Sequence, residues 1–141
     1  MIQRIQTLYL FIVIILQSVL LSTGIAKYTD PVSNELMYKT IKTIKTMDLP
    51  LIAALTSFTA LIPAISMFLY KKRILQMRFN IFNSILLVAL QGFIVYYIVQ
   101  SKGLIFTVQS IFPVISLILS ILAIRNIIKD ELLIKSLHRL R

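Results

Sequence analysis

The chain has 141 residues, 58% of them hydrophobic, with a mean hydropathy of +0.90. One domain of that length needs far less apolar surface to build a soluble core, so the excess must face lipid. The absence of cysteine excludes disulfides, thiol catalysis and cysteine-ligated metals, and the lone His138 builds no metal site by itself; no cofactor is expected.

Four stretches carry no Asp, Glu, Lys, Arg or His: Ile5 to Ala26, Leu49 to Tyr70, Phe79 to Gln100 and Gly103 to Ile124. A helix rising about 1.5 Å per residue crosses a hydrocarbon core of about 30 Å in roughly 20 residues, so each can span. A buried helix of a soluble protein would show a charged outer face, and none of these does. The expected fold is all-α, a single membrane domain forming a four-helix bundle. Its helices are placed at about 5–25, 49–70, 79–99 and 104–124, with an outer loop 26–48, a cytoplasmic loop 71–78 and an amphipathic tail 125–141. The first stretch also has features of a secretory signal, with Arg4 ahead of it and Gly24 and Ala26 near its end. It outruns the usual apolar core of about 7–15 residues and is read as an uncleaved helix.

Charge placement orients the bundle. Ten basic residues fall on one side: Arg4, Lys71, Lys72, Arg73, Arg78, Arg125, Lys129, Lys135, Arg139 and Arg141. Five fall on the other: Lys27, Lys39, Lys42, Lys45 and Lys102. The positive-inside rule sends the richer side, with both termini, to the cytoplasm. The net charge of +10 is then explained by topogenic residues that touch anionic headgroups. No phosphate-binding loop or RNA-binding signature accompanies it, so nucleic acid is not an expected partner.

Small and polar residues fall on one seam per helix. The seams are Gln3, Gln6, Leu10, Val13, Gln17, Leu20 and Gly24; Ala53, Ser57, Ala60 and Ala64; Asn80, Ser84, Leu87 and Gln91; and Gln109, Pro113, Ser116, Ser120 and Ala123. Small residues let backbones approach, and amides and hydroxyls bond across helices in lipid. Gln17, Gln91 and Gln109 are each expected to meet a polar partner on a neighbouring helix, because an unpaired amide in hydrocarbon is costly. Gln17, Asn80, Ser84, Gln91, Gln109 and Ser116 therefore either glue the bundle or line a polar cleft. No ionisable residue is placed mid-membrane, which argues against a proton- or ion-coupled carrier.

Pro63 and Pro113 sit in similar surroundings, Leu61-Ile62-Pro63-Ala64-Ile65-Ser66 and Ile111-Phe112-Pro113-Val114-Ile115-Ser116. A duplicated hairpin would place both alike within their helices, each freeing a carbonyl and able to kink its span. The run from Lys39 to Met47 reads either as a short interfacial helix or as a solvated loop. Asp48 is expected to cap the second span. In the tail, Leu133, Leu137 and Leu140 share a face opposite Glu131, Lys135, His138 and Arg139.

Three separated motifs carry a resemblance: the opening from Met1 to Leu10, the central Tyr70-Lys71-Lys72-Arg73-Ile74-Leu75-Gln76-Met77-Arg78, and the ending from Ala123 to Glu131 and through Arg139-Leu140-Arg141. Together they resemble the domain of unknown function 4293 family, small four-span inner-membrane proteins typical of the Bacteroidetes. The resemblance implies a multi-pass protein of the bacterial inner membrane and supplies no activity.

Arg4, Lys71, Lys72, Arg73, Arg78, Arg125, Lys129, Arg139 and Arg141 form the expected docking or headgroup-contacting surface. On this basis the chain is expected to be a non-catalytic accessory or scaffolding subunit of an inner-membrane complex, such as one for protein export or envelope biogenesis, with lipids and a protein partner around it. The competing expectation is a bundle that binds or transports a lipid or small molecule through a polar cleft. An enzyme would need convergent acid, base or nucleophile. Asp30, Glu35 and Asp48, the carboxylates outside the tail, lack a histidine or cysteine nearby in the chain.

Overall fold

A computed structural model describes residues 3–29, 41–69, 72–100 and 104–139. The apolar stretches form four helices: α1 (Gln3–Ser22), α2 (Pro50–Phe68), α3 (Arg73–Gln100) and α4 (Phe112–Arg139). Each contains a run long and apolar enough to cross a membrane, and the chain is a multi-pass membrane protein with the expected all-α bundle. α1 packs on α2 and α4, and α3 packs on the same two, closing a four-sided ring. Large apolar residues such as Phe58, Phe68, Ile85 and Ile118 point outward, where lipid takes the place that water has around a soluble protein.

Between α1 and α2 the structure departs from both expected readings of the run from Lys39 to Met47. Ile41–Lys45 is a strand, β2, and it pairs antiparallel with β1 (Gly24–Thr29), which also pairs antiparallel with β3 (Leu104–Phe106) in the order β2-β1-β3. Ile41, Thr43 and Ile44 in this run are β-branched, and β-branched residues favour extended structure. A register shift between Gly24 and Ala26 lets consecutive Ile25 and Ala26 both bury.

This sheet closes one end of the bundle, called the sheet end below. Thr46, in a 3-10 turn (Thr46–Asp48), fastens it to α1: its hydroxyl lies 2.5 Å from the Leu20 carbonyl and 3.0 Å from that of Thr23, and its backbone N–H donates to Thr23 at 3.2 Å. These contacts serve carbonyls that the end of α1 leaves without helical partners. Asp48 does not cap α2. Leu49 is the N-cap and makes no side-chain bond, while the Asp48 carboxylate accepts the Lys45 N–H at 3.0 Å and closes the 3-10 turn; Pro50 starts α2.

The opposite end, called the tail end, holds the start of α1, the passage from α2 to α3 and the end of α4. Residues 71–78 were expected as a loop, but α3 begins at Arg73, and α4 runs unbroken from Phe112 to Arg139. A change from apolar to charged sequence ends the hydrocarbon match without ending a helix, which stops only where backbone geometry or a breaker stops it. At 28 residues each, α3 and α4 run to about 42 Å and outreach a hydrocarbon core of about 30 Å. The start of the fourth helix moves the other way: residues expected as helix from 104 form β3 and a 3-10 turn (Val108–Ile111).

The two prolines are not equivalent. Pro63 lies inside α2, whereas Pro113 occupies the first turn of α4, where a missing N–H costs nothing. The expectation of a duplicated hairpin with matched prolines is therefore not met.

Candidate functional site

The seam expected on α1 is its buried line: Gln6, Leu10, Val13, Gln17 and Leu20 are all buried, with Gly24 beyond them. On α4 the line is Pro113, Ser116, Ser120 and Ala123, continuing to Ile127 and Asp130. On α2 the expected seam is one position out. Ala53, Ser57, Ala60 and Ala64 are half-buried, and the interior belongs to Ile52, Thr56, Thr59, Ile62, Pro63 and Ser66. Residue size misled here, because threonine hydroxyls bond back to their own helix, as Thr56 does to the Ile52 carbonyl at 2.7 Å, and then pack as apolar side chains. On α3, Asn80 and Leu87 are buried and Ser84 and Gln91 half-buried; Gln76, Asn83, Leu90, Ile94 and Ile98 complete the line.

Hydrogen bonds fix the levels of these residues. Gln17 Nε2 donates to Ser116 Oγ at 2.9 Å, and Thr59 Oγ1 donates to Gln17 Oε1 at 3.3 Å. Ser66 Oγ lies 3.5 Å from the Gln76 carbonyl, a weak bond that still sets α2 against antiparallel α3. Seven residues further along each helix, Thr59 stands level with Asn83. One layer therefore contains Gln17, Thr59, Asn83 and Ser116, and the next turn toward the tail end contains Asn80 and Ser120. Beyond them Gln76 and Ser66 are buried, and at the tail end itself Gln6 Nε2 donates to Asp130 Oδ2 at 2.6 Å.

The tail half of the interior is thus polar, and it is incompletely paired. Asn80 and Asn83 are both 0% exposed, and the Nδ2 and Oδ1 of each have no hydrogen-bond partner in the protein. Ser120 Oγ is likewise buried and unpaired, although Ser57 and Ser84 bond back to their helices in the usual way. Pro63, facing the same interior, removes the N–H that would bond the Thr59 carbonyl. The sheet half differs in kind: Leu20, Ile25, Ala26, Ile52, Leu90, Ile94 and Ile98 form one apolar cluster beneath the sheet.

Of the amides expected to find partners across helices, Gln17 does so. Gln91 Oε1 and Gln109 Oε1 are buried without one, and Gln109 lies in the 3-10 turn before α4. No hydrogen bond joins Gln17 to Gln91 or Gln109; among the described residues five of the eight buried unpaired side-chain atoms belong to Asn80, Asn83 and Ser120, and the other three to Gln91, Thr107 and Gln109 nearer the sheet. Sequence reasoning passed over Asn83, whose signal was its spacing of three from Asn80, which puts both amides on one face. It also assigned Asp130 to a cytoplasmic tail, whereas the carboxylate is 8% exposed and bonded to α1. Leu133, on the apolar face of the tail, is exposed, and Leu137 and Leu140 lie outside the described side chains.

Among the basic residues, Lys72, Arg78, Arg125 and Lys129 are exposed around the tail end, while the side chains of Arg4, Lys71, Arg73, Arg139 and Arg141 lie outside the description. Among the described residues no group of three His, Cys, Asp or Glu gathers as metal ligands. A shallow apolar pocket outside the bundle, between the start of α2 and the end of α3, is lined by Leu49, Ile52, Phe93, Tyr96 and Tyr97 and contributes no polar group.

The family described as Domain of unknown function (DUF4293) matches the chain over residues 2–140. No curated protein and no solved structure matches it.

Proposed function

We propose that this chain, which belongs to the domain of unknown function (DUF4293) family, is a non-catalytic membrane protein that receives a small polar group, from a lipid headgroup or a solute, in the tail half of its bundle. One observation carries the reading: four amide atoms of Asn80 and Asn83 are buried without a protein partner. A buried unsatisfied polar group costs about 1–3 kcal/mol, and leucine at both positions would avoid that cost while fitting an apolar bundle. Asparagines kept there at such expense suit a guest that completes their bonds. Carboxamides and hydroxyls are poor acids, bases and nucleophiles at neutral pH, which supports a binding role over catalysis.

Purification in mild detergent followed by native mass spectrometry tests this. The wild type is expected to carry a retained small species that Asn80→Leu/Asn83→Leu loses while keeping its helicity. An equally empty wild type and variant would refute the reading.

A second reading, an accessory subunit docking on a larger complex, is favoured by the unbroken α4, which carries Leu132 and Leu133 exposed beyond Asp130's bond to α1. Stoichiometric partners recovered with the tagged protein and lost on shortening α4 would support it. In either case the basic excess supports a bacterial inner membrane with the tail end in the cytoplasm.

A further inference from the structure

We infer that Asn80, Asn83 and Ser120 form a one-ended site for uncharged, hydrogen-bonding groups, hydroxyls and amides above all, entered from the tail end along the α2–α3 seam and blind toward the sheet. This rests on the binding role proposed above and names its chemistry and its door.

The chemistry follows from what lines the layer. Asn80, Asn83 and Ser120 offer donors and acceptors with no formal charge, and the neighbouring Gln17, Thr59 and Ser116 are also neutral. An ion brought about 10–15 Å along α3 from Arg73 would find no described counter-charge in that layer, and an unpaired buried charge costs far more than a buried amide. A hydroxyl or amide can satisfy a carboxamide on both edges, accepting from Nδ2 and donating to Oδ1.

The door follows from the levels. Tailward of Asn80, the buried residues on the α2–α3 side are Ser66 and Gln76, whereas the α1–α4 side presents Leu10, Ala123 and Ile127. On that second side the buried polar pair Gln6 and Asp130 is separated from Asn80 by these residues and its members bond to each other, so a polar guest keeps continuous hydrogen-bonding company along the first side. Toward the sheet the buried line of α3 is Leu87, Leu90, Ile94 and Ile98, with Gln91 only half-buried beside it, and from Leu90 on this line is part of the cluster with Leu20, Ile52 and the β1 residues Ile25 and Ala26, which fills the way. A guest that enters must leave by the way it came, so this is a holding site and not a conduit.

The chain contains no cysteine, so single reporters can be introduced without background. Ser120→Cys replaces an unpaired hydroxyl by a thiol of similar size. Three methanethiosulfonates serve as probes in sealed vesicles of each orientation: one neutral and hydroxyl-bearing, one cationic, one anionic. Each transfers its thio group to the thiolate and releases methanesulfinate. The neutral reagent is expected to label Ser120→Cys at least tenfold faster than either charged one, and only from the tail side. Lys129→Cys, exposed, should react with all three, and Leu90→Cys, in the apolar cluster, with none.

Adding Asn80→Leu/Asn83→Leu to Ser120→Cys should suppress the neutral labelling while Lys129→Cys still reacts in that background, which shows the fold intact. Ser120→Cys that stays inert to every reagent in a folded protein overturns the inference, as does equal labelling by the charged reagents or labelling from the sheet side. The binding role can fail separately: a reactive Ser120→Cys in a protein that retains no species by native mass spectrometry would leave an open chamber without a held ligand.

Discussion

Gln17 is the point at which three helices are joined, and removing its amide should loosen all of them. In Gln17→Leu two bonds are lost, one to Ser116 Oγ at 2.9 Å and one from Thr59 Oγ1 at 3.3 Å. Interhelical hydrogen bonds in bilayers contribute on average about 0.6 kcal/mol and at most about 1.7 kcal/mol each. The Ser116 bond has good geometry and should lie in the upper part of that range. The Thr59 bond is long, and its hydroxyl also lies 2.9 Å from the Thr56 carbonyl, so it should add little.

The total expected loss is about 1–2 kcal/mol. A cycle of Gln17→Leu, Ser116→Ala and the double variant, unfolded reversibly in mixed micelles, isolates the pair, with an expected coupling of about 1 kcal/mol. A coupling indistinguishable from zero would mean that the Gln17 amide finds another partner once Ser116 is removed, and the layer built on this bond would be wrong.

The Thr46 hydroxyl holds the sheet to the end of α1, so Thr46→Val should cost about 1 kcal/mol and speed amide hydrogen exchange in β1 while leaving exchange in α3 unchanged. Gln6→Leu removes the 2.6 Å bond to Asp130; exchange in the last turns of α4 should rise, whereas the sheet end should not respond. Leu90 is fully buried in the apolar cluster, and Leu90→Ala should destabilise by about 2 kcal/mol or more, measured in the same micelle titration. Lys129→Cys and Lys27→Cys should be labelled from opposite faces of the membrane, with Lys129→Cys on the cytoplasmic face; labelling of both from one face would overturn the assigned topology.

The four helices were legible because lipid imposes a simple rule: about 20 residues without charge make a span. The buried lines of α1 and α4 were legible as well, since each sets amides or hydroxyls three and four apart on one face. What escaped depended on the backbone rather than on composition. Nothing in the charges of residues 71–78 marks where α3 starts, and the pairing of Ile41–Lys45 with Gly24–Thr29 and of these with Leu104–Phe106 is a contact between segments far apart in sequence. The α2 seam was missed because size was used as the guide where hydroxyl chemistry decides. Thr56 conceals its polarity in its own helix, and the Thr59 hydroxyl lies between the Thr56 carbonyl and Gln17, so both can face the interior and leave alanines at the flanks.

The division of the interior into halves bears on what the bundle can be. A four-helix bundle that needed only to persist in lipid would gain most from close-packed apolar or small residues along its whole length, and the buried helix residues of the sheet half come nearest to that. Glue alone explains Gln17, whose amide is bonded on both sides, but not Asn80 and Asn83, which are fully buried and whose amides bond to nothing in the protein. Nor does a transmembrane conduit explain them: sheetward of Asn83 the buried line of α3 is Leu87, Leu90, Ile94 and Ile98, and the unpaired polar atoms at that end, on Gln91, Thr107 and Gln109, belong to half-buried residues outside that line. A polar interior stopped at one end and flanked by exposed lysines and arginines at the other is shaped to receive from one side only. That asymmetry makes the tail end the side on which a ligand or partner should be sought.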